Sequence, residues 1–226
     1  MISLWNGLID LLKDVLQFFY LYVNDYGLAI ILLTVAIRVV ILPLTIKQTK
    51  SMYEMQRLQP KLKELQEKFK DNKEKLQQEM LKFYSEHKVN PFGGCFPLLL
   101  QMPVFFALFQ MLMRNKDLLK ATSMGIFELG KRPSAAFGEG IIPFLPYLIL
   151  IALMALTTYL PQKMMATDPQ QQRMGLMLMP LMVFFAWTLP TGVLLYWITT
   201  NVWTMAQQYV TLRLAKQAEV GNGKGN

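Results

Sequence analysis

One cysteine, Cys95, and one histidine, His87, are all the thiol and imidazole that these 226 residues contain. A lone cysteine excludes an intrachain disulfide and a cysteine-based metal site. A lone histidine argues against a His-ligated metal or a His-based triad. There is no phosphate-cradling P-loop and no nucleophile constellation, so the chain does not read as an enzyme and no cofactor is expected. Charge is scarce as well: 17% of residues are Asp, Glu, Lys or Arg, against 53% hydrophobic. That balance points to a polytopic membrane protein. The formal charge of +8 could suggest nucleic acid. The basic residues, however, are concentrated in one segment between apolar runs, which suggests membrane topology and an anionic surface instead, without nucleic-acid sequence recognition.

Long apolar runs are what the chain does have. The first, Gly27 to Ile46, is twenty residues with a single charge, Arg38. It is long enough to cross a hydrocarbon core of ~30 Å, and Arg38 falls ~16 Å into it, near the midplane. An Arg there costs roughly 2.5–3.5 kcal/mol on insertion scales and is a functional-site hypothesis by default. The bland alternative is an Arg that snorkels to the interface or neutralises a buried partner. Four further runs follow at 92–113, 141–160, 175–189 and 193–210. None of the five contains Asp or Glu. Pro43 is expected to kink the first run, and the fourth is short, ~24 Å, which favours local bilayer thinning.

Between the runs the character changes. Residues 3–23 place Leu4, Leu8, Leu11, Val15, Phe18 and Tyr22 at helical spacing, opposite Asn6, Asp10, Lys13, Asp14 and Gln17, as in an amphipathic helix lying in the membrane interface. No signal-peptide pattern and no lipoprotein start is read here. Residues 47–88 hold eleven Lys or Arg. Met55, Leu58, Leu62, Leu65 and Phe69 step by heptad spacing, and Leu76, Met80 and Phe83 resume it after Asp71-Asn72. This predicts a coiled-coil-like helical hairpin with Pro60 kinking or restarting its first arm. Residues 114–140 read as a mixed loop, 161–173 as a short polar connection, and 211–226 as a disordered basic tail. With 47–88 on the cytoplasmic side, that face carries sixteen Lys or Arg and the other six. The N-terminus is then outside and the C-terminus cytoplasmic.

The polar residues at depth align. Thr34, Arg38 and Thr45 share one stripe of the first run. Tyr196, Thr200, Thr204 and Gln207 share one of the last, with Trp197 and Asn201 adjacent, and Gln101 is the main polar residue of the second. Interhelical hydrogen bonding alone could account for the threonines. With Arg38 present, a shared, water-accessible, positively charged cavity is the simpler expectation. Arg stays protonated, so Arg38 cannot relay protons, and the absent carboxylates weigh against a proton-coupled transporter. Methionines between Met154 and Met182 could form an adaptable apolar surface.

Four stretches, AIRVVILPLTIKQ (36–48), KVNPFGGCFPLLLQMPVFFALF (88–109), TDPQQQRMGLMLMP (167–180) and PTGVLLYWITTN (190–201), resemble the YidC family of membrane protein insertases, in order and with the charged hairpin in place. The resemblance implies an all-α, five-helix core enclosing a hydrophilic groove, open to the cytoplasm and to lipid and closed outside. It implies a chaperone and insertase in the bacterial plasma membrane, acting alone or with the Sec translocon on ribosome-delivered clients. The family's groove Arg corresponds to Arg38, its Thr one turn earlier to Thr34, and an aromatic of its last helix to Trp197. Lacking a large outer domain, the sequence is similar to the smaller form of the family, and its short tail implies little ribosome binding there. Other classes remain open: a channel or anion transporter using the same basic cavity, and a scaffold whose hairpin binds partners.

Overall fold

A computed structural model describes residues 2–87, 96–165 and 169–223. Cys95, Gly93-Gly94, the start of the second apolar run at 92–95, Asp168 and the last three residues lie outside the described residues. Among the described residues the chain is all-α except for one small hairpin. Its elements are α1 (Ile2–Val23), α2 (Tyr26–Lys68), α3 (Lys73–Glu86), α4 (Phe96–Arg114), α5 (Lys116–Lys120), β1 (Thr122–Ser123), β2 (Phe127–Glu128), α6 (Pro133–Gly138), α7 (Ile141–Met165), α8 (Pro169–Thr188) and α9 (Thr191–Gly223). Two described helices, α2 and the 141–163 part of α7, are long and apolar enough to cross a membrane.

The longest element differs from the sequence reading. One helix, α2, runs 43 residues through both Pro43 and Pro60, about 64 Å. Neither proline restarts it. Both prolines are exposed, so the ring and the missing N–H fall on a face without packing constraints. Beside Pro43, the Thr45 hydroxyl donates to the carbonyls of Ile41 (3.3 Å) and Leu42 (3.0 Å). The outer half of α2 then turns at 69–72 into α3, capped by the Asn72 side chain accepting from Lys75 N. His87 lies beside Glu54, Arg57 and Lys61, so the two arms are antiparallel. Leu62 is buried at their seam.

Helix α1 has three faces rather than two. Ile9, Leu12 and Leu16 are buried in the core against α2 and α4. Of the seam expected from the sequence, Leu4, Leu11, Phe18 and Tyr22 are exposed, while Leu8 and Val15 are half-buried against the core. Asn6, Asp10, Lys13, Asp14 and Gln17 are exposed on the remaining side.

Residues 115–140 form a folded cap, not a loose loop. Leu118, Leu129 and Ala136 are at most 1% exposed. The cap grips two helix starts. The Asp25 carboxylate caps α2 by accepting from Leu28 N (2.9 Å), and also accepts from Ser123 Oγ (2.9 Å) and Met124 N (2.5 Å). Thr191, opening α9, donates from its N–H (3.0 Å) and hydroxyl (2.7 Å) to Lys131 O, and Gly192 N donates to Leu129 O (2.8 Å). Helices α2 and α9 therefore start in one layer and run parallel, with α9 packed between α2 and α7.

Burial raises the Asp25 pKa, but the hydrogen bonds from Met124, Leu28, Ser123 and Gly27 outweigh it and hold the carboxyl below its ordinary value. The folded state thus binds this proton more weakly than the unfolded chain does. The stability Asp25 provides is present above the ordinary carboxylate pKa and is lost as pH falls through its depressed value. Asp25→Asn keeps a competent cap but loses charge-assisted bonds. Thermal unfolding at neutral pH should show a loss of about 1–2 kcal/mol, shrinking as the pH is lowered. An unchanged gap in acid would contradict the assignment.

Two further boundaries shift. Helix α7 runs on to Met165 and α8, 20 residues long, includes the polar run 170–173, so both ends of the expected connection are helical; 166–168 lie outside the described residues. Only the apolar part of α8 is short. The expected disordered tail continues α9 to Gly223, because 211–220 is rich in Leu, Ala, Gln, Arg and Lys, good helix formers, and the first glycine after them is Gly221.

Candidate functional site

Arg38 is 9% exposed. Its Nη2 donates to Gln101 Oε1 at 2.7 Å, and Gln101 Nε2 donates to the Tyr196 hydroxyl. One polar chain therefore ties α2, α4 and α9. Its terminal partners are neutral. The guanidinium is held in place without being neutralised, and the five apolar runs contain no carboxylate to do so.

Above this chain lies a polar cavity of about 300 Å³, room for roughly ten waters. Helix α2 contributes Arg38, Thr45, Gln48, Thr49 and Met52; α4 contributes Gln101; α9 contributes Thr200, Asn201, Thr204, Gln207 and Gln208. Thr45 Oγ1, whose one hydrogen is shared with its own helix, lies 3.0 Å from Gln207 Oε1, and Asn201 Nδ2 donates to Thr158 of α7 (2.9 Å). Three side-chain atoms of these residues are buried without a hydrogen-bond partner in the protein: Nε2 and Oε1 of Gln48 and Gln208 Oε1.

Of the residues singled out in the sequence, Arg38, Thr45, Gln101, Thr200, Asn201, Thr204 and Gln207 meet here. Thr34, Tyr196 and Trp197 lie outside the lining. The Thr34 hydroxyl donates to its own helix at Ile30 O (2.7 Å). Tyr196 is buried beneath Arg38 as the end of the polar chain, and Trp197 packs edge-on against Phe105 at 5.5 Å. Gln48, Thr49, Met52 and Gln208 were not anticipated. The first three lie beyond Ile46, where the apolar run stops but the helix does not. Their helical register with Arg38 was the available signal.

Toward the cap the space closes. Below Tyr196, Ile30, Leu108, Met111, Leu112 and Val193 leave an apolar void of only about 10 Å³, at the limit for one water. Beyond it lie the buried cap residues. A different surface runs along α7 and α8, where Ile142 (86%), Leu145, Ile149, Leu156, Met177 and Phe184 are exposed. Among the described residues no group of three or more His, Cys, Asp or Glu could hold a metal ion.

The family model described as 60Kd inner membrane protein matches residues 18–218. A membrane protein insertase YidC of Caldanaerobacter subterraneus subsp. tengcongensis is 38% identical over 205 residues, covering 91% of this chain and 94% of that one. The YidC insertases of Geobacter sulfurreducens (41% over 207 residues) and Syntrophobacter fumaroxidans (44% over 201) cover 90% and 86% of this chain. This chain spans only 37% and 36% of their lengths. A solved structure, an active YidC insertase crystal structure with the first transmembrane domain resolved, matches with a TM-score of 0.64 at 24% identity. It covers 92% of this chain and 45% of that one, and it supports the fold alone.

Proposed function

The chain belongs to the 60Kd inner membrane protein family, that of the YidC insertases, and from that premise we propose that it inserts newly made membrane proteins, using the Arg38 cavity as a half-channel. The observation that carries this is a buried guanidinium held by the neutral Gln101 in a polar cavity that narrows to an apolar seal at the capped end. Such a site attracts an anionic or polar segment and keeps it wet partway across the membrane. This lowers the cost of taking its polar groups through hydrocarbon. The capped end gives it no exit as a free solute.

In this reading five segments cross the bilayer (27–46, 92–113, 141–160, 175–189, 193–210), forming a core over 26–210 whose groove opens to the cytoplasm and to lipid. Residues 1–25 form the outer segment, with α1 in the interface: its seam of Leu4, Leu11, Phe18 and Tyr22 meets lipid and its polar face meets water. The α2–α3 hairpin and the C-terminus face the cytoplasm, where the hairpin meets the emerging client, ribosome or Sec translocon. The client's apolar helix leaves along the exposed face of α7 and α8. The partners are nascent membrane proteins and lipid, and no cofactor takes part.

A photo-crosslinker placed at Thr45 or Thr204, with a stalled single-span nascent chain, tests the reading. Adducts from the client's translocated segment, together with crosslinks from Leu145 or Phe184 to its apolar helix, are expected. The same liposomes should pass no chloride or small anions. Anion flux without client adducts would favour the channel or transporter instead.

A further inference from the structure

Two of the unpaired polar atoms at the cavity do not suit Arg38's anionic client groups. An anion accepts hydrogen bonds only. Yet Gln48 Oε1 and Gln208 Oε1 can only accept. They need a donor. The two glutamines also share a level. Gln48 is ten residues beyond Arg38 on α2 and Gln208 twelve beyond Tyr196 on the parallel α9. That places both about 15–18 Å from the Arg38–Tyr196 layer, close to the edge of the hydrocarbon if Arg38 lies near mid-membrane. At that edge an entering chain loses water from every peptide unit, and each unsatisfied N–H and C=O costs several kcal/mol.

We infer that Gln48 and Gln208 form a backbone-docking rim: their side-chain amides hydrogen-bond the peptide N–H and C=O groups of the client's extended, translocating segment, independent of its sequence. This rests on the insertase reading above. A glutamine amide carries the same donor and acceptor pair as a peptide unit, so it replaces water one for one as the chain advances. Sequence-independent recognition suits a device that passes many clients, while Arg38 reads charge deeper in. A buried amide that no other protein group satisfies adds little to stability, and an apolar residue of similar size would pack there at least as well. A group retained without a gain in stability is the signature of a binding role.

Proline supplies the test, because it removes the N–H and keeps the C=O. A single-span client is made with its translocated N-terminal segment carrying either alanines or prolines at alternate positions, in acidic and neutral versions of equal length. Insertion rates are measured into liposomes containing the wild type or the Gln48→Met/Gln208→Met double variant. For the wild type the proline segment should insert about fivefold more slowly than the alanine one, the worth of roughly one net hydrogen bond. In the double variant the alanine client should slow to the proline rate, leaving less than about a twofold difference. Its thermal unfolding temperature should stay level or rise. A proline penalty equal in both proteins, or none in the wild type, overturns the rim. So does a clearly lowered unfolding temperature, which would make the glutamines structural. The acidic-versus-neutral preference reads Arg38 separately. Its survival beside a failed rim leaves the insertase reading standing, and its absence from the wild type counts against that reading.

Discussion

Replacing Arg38 with alanine should lower insertion of clients with acidic translocated segments by ten- to hundredfold while leaving neutral clients within about twofold. The magnitude follows from the site's wetness. Unit charges 4 Å apart attract by about 1 kcal/mol in water and about 4 kcal/mol at an effective dielectric of ~20. A polar cavity of about 300 Å³ beside a 9% exposed guanidinium lies between these limits. Arg38→Lys keeps the charge but loses the planar fork that holds Gln101 Oε1 at 2.7 Å, and should retain part of the acidic preference. Gln101→Leu keeps Arg38 and removes its tether to Tyr196. Its effect should be smaller, about two- to threefold, and should fall on acidic and neutral clients more evenly. Initial rates in liposomes with client pairs differing only in segment charge separate the cases. Normal insertion of the acidic client by Arg38→Ala would remove Arg38 from the mechanism.

The buried charge was legible because a single Arg in twenty apolar residues has no ordinary explanation, and the stripe through Thr200 and Thr204 was legible from helical spacing. The mouth of the cavity was not. Hydropathy ends the first run at Ile46, and Gln48, Thr49 and Met52 then read as the beginning of a soluble hairpin. Only the continuous backbone of α2 through Pro43 puts them in register with Arg38. The same continuity explains the α8 boundary: hydropathy marks where a helix is greasy, whereas hydrogen bonding marks where it is a helix. In α1 the periodic pattern was real, but periodicity cannot say which of two apolar faces meets protein. Of the expected seam, Leu4, Leu11 and Phe18 are outward, while Leu8 and Val15 pack beside the buried Ile9, Leu12 and Leu16. Glycine and serine punctuation in 114–140 suggested a loop. What folds it is nonlocal: Asp25 and Thr191 reach it from other helices, and no window of sequence contains both ends of those bonds.

Gly27→Ala should undo the capped end. A Cβ at Gly27 would overlap Ser123 Oγ and lie 2.5 Å from Ser123 Cβ, with Leu195 Cδ1 at 3.2 Å. Real atoms do not approach that closely, so β1 must leave α2. Ser123 is fully buried and cannot simply rotate into open space, and its departure breaks the 2.9 Å bond to Asp25 and strains the 2.5 Å bond from Met124 N. Overpacking of this kind costs about 1–3 kcal/mol, and a lost bond to a charged group about 1.5–3 more. For a chain of this size a drop of roughly 5–15 °C in unfolding temperature is expected. The functional consequence is sharper than the thermal one. The seal beneath the cavity is a void of about 10 Å³ lined by Ile30, Leu112 and Val193. Ile30 is one helical turn from Gly27, and Val193 is two residues from the Thr191 clamp on the same cap. With the cap displaced, the polar cavity should connect to the far side, and liposomes carrying Gly27→Ala should leak small anions that the wild type retains. Gly138→Ala is the control, since a Cβ there meets nothing within 4 Å. It should change neither quantity. A Gly27→Ala protein as stable and as tight as the wild type would mean that the cap is not what closes the cavity.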